Sequence, residues 1–335
     1  MTDMNKPMNS VQVHIDDRVR LLGALLAATS WPDDEQARKP HGTHAHARGT
    51  RRLVSAYDKH PAVLILQALL DRGLPLAAIL GYMLGLRWPD LVAERTPSWV
   101  PPTWGRHLKD FLNRTHLEEW WAEEDDDWQR AATEVQSVIG DTDLRSFLAQ
   151  FVGDFSEQMV FTPNICYPTD TELGVFVDGT LHCVAPPRLA WGDNPPWPFD
   201  EDATHVYRSI LGQFGHLLMA RYLQAHRPAL MEASSQKLPV STEFAARYPS
   251  WEARFLALFE LGLIVIFLED AVSPDEARAF VLMEKKMHGL DELPGVVSVL
   301  RRYLTGREEG KYAEFADYLP YFARHLRVAR TITSL

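Results

Sequence analysis

The chain has 335 residues, enough for a large core and for two subdomains. Hydrophobic residues make up 46% and charged residues 24%, an ordinary globular composition. The net charge of −11 argues against sequence-independent binding to nucleic acid phosphates. Two cysteines, Cys166 and Cys183, are too few for a disulfide framework or a zinc knuckle and read as reduced thiols of a cytoplasmic protein.

Residues 1–10, MTDMNKPMNS, are polar and read as a disordered N-terminus with no apolar run suited to a signal peptide. VQVHI (11–15) suits a short strand or a helix lead-in. Val19, Leu21, Leu22, Leu25 and Leu26 predict a helix over 16–29. WPDDEQARKP (31–40) reads as a loop. His41, His44 and His46 follow in HGTHAHARGT. A His-rich tract can bind metal, but no carboxylate or Cys completes a site, so exposed histidines at a helix start are expected. Pro61 suits the first turn of AVLILQALLDRG, closed by Gly73, and LPLAAILGYMLGL (75–87) predicts a buried helix.

Four prolines between 88 and 103 predict an irregular connection. A helix is expected from 104 to 121. It leads into EEWWAEEDDDW (118–128), whose seven acidic residues and three Trp suggest a solvated face with the indoles turned inward, or a dock for a basic partner. One or two helices fill 129–157. The helical N-terminal region therefore spans 11–157. From 158 the pattern changes: ELGVFV and TLHCVA flank Asp178-Gly179, a strong hairpin signal, so a small antiparallel sheet is expected there.

After the Pro-rich loop GDNPPWPFDED (192–202) comes THVYRSILGQFGHLLMARYLQ (204–224). Val206, Ile210, Phe214, Leu217, Leu218 and Tyr222 recur at helical spacing, and Asp202 or Thr204 suits the N-cap. Within this helix stands GQFGH, 212–216. A zinc protease helix carries H-E-x-x-H: two His on one face hold the metal and the Glu is the general base. Here Gly212 replaces the first ligand, Gln213 replaces the base, and His216 keeps the second. Gln matches Glu in shape but cannot accept a proton. His205 lies about 16 Å from His216 along the helix axis at 1.5 Å per residue, too far to share an ion. His226 fails for the same reason.

A polar stretch (226–250) precedes the most apolar helix, 251–269. Its apolar run, 255–268, is too short for a membrane span and carries Glu260 among Phe259, Leu261, Leu263, Ile264 and Ile266. A carboxylate in such company needs a partner. His216 and Glu260 are two ligands only, too few for zinc, so a direct imidazole–carboxylate hydrogen bond that satisfies two buried groups and raises the His pKa is expected. The remaining helices are expected at 274–288, 293–305 and 311–329. Pro320 would bend the last, and Arg324, Arg327 and Arg330 favour its C-terminal end.

Several segments, taken in order, resemble an uncharacterised bacterial family described as a domain of unknown function and similar to gluzincin-type metalloproteases. They are VQVHIDDRVRLLGAL, KHPAVLILQAL, ELGVFVDGTLHCVAPP, the GQFGH helix, FLALFELGLIVIFLE and YAEFADYLPYF. The resemblance spans 11–329. It implies a mainly α, α+β fold with a zincin-like region at 158–335. H-E-F-x-H falls on Gly212–His216 and the downstream ligand Glu on Glu260; the departures at Gly212 and Gln213 imply no zinc and no peptide hydrolysis. The expected function is a catalytically inactive metalloprotease relative that binds a peptide or protein partner in the former substrate cleft, between the hairpin and the 204–224 helix. The alternative is a hydrolase rebuilt on His216, Glu260 and the Asp193–Asp202 loop. A plain structural or interaction protein with a filled cleft is a third.

Overall fold

A computed structural model describes residues 11–333 apart from Trp191 and Asp193, so the expectation for residues 1–10 lies outside it. The chain opens with β1 (Gln12–Val13), then α1 (Asp17–Ala27), α2 (Trp31–Arg38), α3 (Ala45–Val54), α4 (Pro61–Asp71) and α5 (Leu76–Leu84). Two short strands follow, β2 (Leu86–Arg87) and β3 (Val92–Ala93), then α6 (Trp104–Arg114), α7 (Leu117–Glu123), α8 (Asp125–Ile139) and α9 (Leu144–Val152). Strands β4 (Gln158–Pro163), β5 (Leu173–Val177) and β6 (Thr180–Ala185) lead to α10 (Ala203–Ala225). The rest is helical: α11 (Arg227–Ser234), α12 (Thr242–Arg247), α13 (Trp251–Phe267), α14 (Pro274–His288), α15 (Leu293–Glu308), α16 (Phe315–Tyr318) and α17 (Phe322–Thr333).

The fold is mostly helical, with one small mixed sheet and one smaller antiparallel sheet. β5 and β6 form the expected hairpin. Asp178 and Gly179 both take positive φ, 47° and 78°, as a two-residue turn matched to strand twist requires. The expectation of a purely antiparallel sheet is corrected. β4 pairs parallel with β6 and β1 pairs parallel with β4, giving the order β1-β4-β6-β5. Flanked on both sides, β4 is buried from Met159 to Pro163, which accounts for its continuous rather than alternating apolar pattern.

Three helix expectations also change. Residues 31–38 form α2 instead of a loop: Pro32 sits in the first turn, Asp33 and Asp34 favour the helix dipole, and the Trp31 indole donates to Glu35 one turn on. The helix expected over 104–121 breaks at Thr115-His116, where Thr115 Oγ1 donates to the Phe111 carbonyl and His116 has φ 52°. The polar stretch 226–250 contains α11 and α12. Pro320 does interrupt the last helical segment, in a short turn between α16 and α17.

The chain forms two compact units. One comprises Val11–Asp141 and Glu157–Ser209. It holds both sheets and a core that includes Trp104, Phe111, Trp128, Phe161 and Phe199, all fully buried. The other comprises Thr142–Ser156 and the chain from Ile210 onward. Its core is aromatic: Phe151, Phe255, Phe259, Tyr303 and Phe315 pack with ring centroids 4.8–6.4 Å apart. Edge-to-face contacts of this kind add to the burial of large apolar surfaces.

Candidate functional site

α10 is built from the helical apolar spacing of 206–222, with the Asp202 carboxylate accepting from the His205 backbone N–H at 2.9 Å. α13 starts where the Ser250 hydroxyl accepts from the Ala253 N–H at 3.0 Å. The two helices approach closely at Gly215: a Cβ placed there would lie 2.7 Å from Leu263 Cδ2. The absent side chain lets α10 settle against α13 and brings the next residue, His216, to Glu260. The two are 44 residues apart in the chain, yet His216 Nδ1 and Glu260 Oε1 meet in a direct hydrogen bond.

That contact was expected; its surroundings were not. The side chains are 48% and 24% exposed, so the pair sits at a surface and is not sealed in a core. The hydrogen bond to Glu260 holds His216 above its usual pKa, against the opposing effect of desolvation, and Glu252 adds to the upward shift. With Nδ1 donating to Glu260, the hydrogen-bonded nitrogen is unavailable to a metal. A raised pKa further disfavours the neutral imidazole that metal ligation needs. Gly212 supplies no donor. A Cβ there would meet nothing within 4 Å, so the position has room for a side chain. Gln213 brings an amide, which is neither a zinc ligand of the usual kind nor a base. The donor set therefore does not fit a zinc ion. Among the described residues, no group of three or more His, Cys, Asp or Glu is placed to hold one.

The other carboxylates and histidines singled out have separate roles. Asp202 caps α10 and pairs with Arg188 at 2.5 Å. Asp193 lies outside the described residues, and Asp200 and Glu201 are exposed on a short turn. His205 is buried against Phe199, and its Nε2–H donates to the Pro186 carbonyl at 2.8 Å. His226 pairs with Glu314 at 3.2 Å.

The histidine tract belongs to the packing, and the expectation that it is exposed is corrected for all three members, His44 being half-buried. His41 and His46 are buried, and His44 caps α3 by accepting from the His46 N–H at 3.2 Å. His46 stacks on Trp120 and meets Trp128 edge-on, and its Nε2 accepts the Trp128 indole N–H at 3.1 Å. Burial drives its pKa down to about 3, so it is neutral. Trp121 and Trp128 are likewise buried, which accounts for the indoles of the acidic segment as inward-facing. In the same unit a cavity of about 360 Å³ is walled by His44, Arg48, Arg130, Glu134 and Phe199. Its charges are already engaged: Arg130 with Asp127, Arg48 with the Thr43 carbonyl, and Glu134 with the Phe199 N–H at 3.0 Å.

Sequence reasoning overlooked Glu35 and Thr169, which hydrogen-bond at 2.8 Å in the interior. Only the unusual placement of a Glu directly after Pro-Asp-Asp hinted at a helix, and nothing local pointed to its partner. No family model, curated protein or solved structure matches the chain.

Proposed function

We propose that this chain is a zincin-like protein of the gluzincin type that has lost metal and peptidase chemistry and acts by binding a peptide or protein partner. One observation carries the reading. The two residues aligned with retained ligand positions, His216 and Glu260, come together across α10 and α13, while the positions aligned with the first ligand and the base hold Gly212 and Gln213. The surviving pair is bonded to itself, and an imidazole whose pKa is raised by its carboxylate partner is a poorer ligand than a free one, because ligation needs the neutral form. For the partner, β5 is the end strand of the mixed sheet, the place where an extended segment would add by main-chain pairing.

The test is equilibrium dialysis of the purified chain against zinc, followed by elemental analysis and comparison with His216→Ala. The proposal expects sub-stoichiometric zinc, unchanged by the substitution. One zinc per chain that disappears in His216→Ala would overturn it.

A further inference from the structure

Glu35 on α2 is 1% exposed and lies 134 residues from Thr169 in the chain. Thr169 Oγ1 is 2.8 Å from Glu35 Oε2 and 3.0 Å from His41 Nε2, and both Thr169 and His41 are buried. The other Glu35 oxygen accepts from the Trp31 indole. His41 Nδ1 lies 2.6 Å from the Lys39 carbonyl, which can only accept, so Nδ1 carries a hydrogen.

These contacts fix a proton count. The two links, Glu35–Thr169 and Thr169–His41, need two hydrogens between three heavy atoms. The Thr169 hydroxyl supplies one. The second must come from Glu35 as a carboxylic acid, with the hydroxyl then donating to His41 Nε2, or from His41 Nε2 as an imidazolium, with the hydroxyl donating to Glu35. Without that second hydrogen, one link has two acceptors facing each other. We infer that Glu35, Thr169 and His41 form a proton-dependent latch: one exchangeable proton closes both links between α2, the His41 turn and the 164–171 segment, and its loss opens one of them.

The surrounding charges set the direction. From the 164–171 segment, Asp170 faces Glu35, and Arg38 of α2 pairs with Asp170 at 3.2 Å. Cys166 and Tyr167 of that segment also face Glu35, and burial pushes both upward, Cys166 to about 12, so neither is charged at neutral pH. On α2, Asp33 is paired with Arg51 of α3 at 2.7 Å, and Asp34 accepts from the Ser30 hydroxyl at 2.9 Å. Among the described residues no cation forms an ion pair with Glu35. Burial pushes the Glu35 carboxyl up to about 7 against the hydrogen bonds from Thr169 and Trp31, and the Asp170 carboxylate adds to the rise both by its charge and by a side-chain hydrogen bond that favours the protonated Glu35. A carboxyl raised on folding holds its proton in the native state over a range where the unfolded chain has lost it. The latch is therefore fully closed below the ordinary carboxyl range and is lost as pH rises through about 7. The segment it releases leads directly into β5.

Hydrogen exchange of the full chain, corrected for the pH dependence of intrinsic rates, tests this between about pH 6 and about pH 8. The latch predicts that protection of 31–41 and 164–171 falls at least about tenfold across that range, while α13 stays constant. Glu35→Gln supplies the amide donor permanently, so its protection should remain high and flat. Thr169→Ser should keep the pH step, and Thr169→Val should show low protection at both ends. A wild-type profile without the step, or the same step in Glu35→Gln or Thr169→Val, would overturn the inference.

Discussion

At the scale of single residues, the surface pair His216–Glu260 makes a signed pH prediction. The carboxylate favours the charged imidazole, so the folded pKa lies above the unfolded one. The stability this pair contributes is fully present below about 6.5 and is lost as pH rises through the folded value. Both side chains are partly solvated, which keeps the contribution to less than about 1 kcal/mol. Glu260→Gln should return the His216 titration towards its ordinary range in a histidine NMR experiment. An unchanged titration would mean that the pair does not form in solution. His46 behaves in the opposite sense. Burial lowers its pKa to about 3, so stability is lost as pH falls below the ordinary histidine range and the buried imidazole is forced to charge.

At the scale of elements, the two glycines of GQFGH have opposite meanings. Gly215 permits the close crossing of α10 over α13, and a branched side chain there would collide with Leu263. Gly215→Val should cost about 1–3 kcal/mol in urea unfolding and lower the His216 pKa by parting it from Glu260. Gly212 faces open space, so Gly212→Ala should stabilise the helix by about 0.5–1 kcal/mol. A destabilised Gly212→Ala, or a harmless Gly215→Val, would contradict this account of the crossing. The same elements mark what was legible from sequence. α10, the Asp178-Gly179 hairpin and the Pro61 start of α4 rest on local periodicity and turn chemistry, which a sequence displays directly. α2 was missed because Pro-Asp-Asp serves a loop and a helix start equally well. The parallel pairing of β4 with β6, and of Glu35 with Thr169, depends on contacts between distant segments and leaves no local trace. That Glu260 needs a partner was legible in its apolar neighbours, and His216 was the imidazole expected to meet it; the exposure of the pair was not, because those neighbours occupy the other faces of α13.

At the scale of the molecule, a mostly helical chain carries a small mixed sheet immediately before α10 in sequence. Among the described residues no helix is long and apolar enough to cross a membrane. The proposed function requires that His216 and Glu260 sit where two zinc ligands could, so that only the groups at 212 and 213 are missing. Zinc titration calorimetry of the double variant Gly212→His, Gln213→Glu tests it most directly. The account predicts a gain of about 100-fold or more in zinc affinity over the wild type, with the His216–Glu260 hydrogen bond replaced by ligation. A correctly folded double variant with no gain in zinc affinity would contradict it.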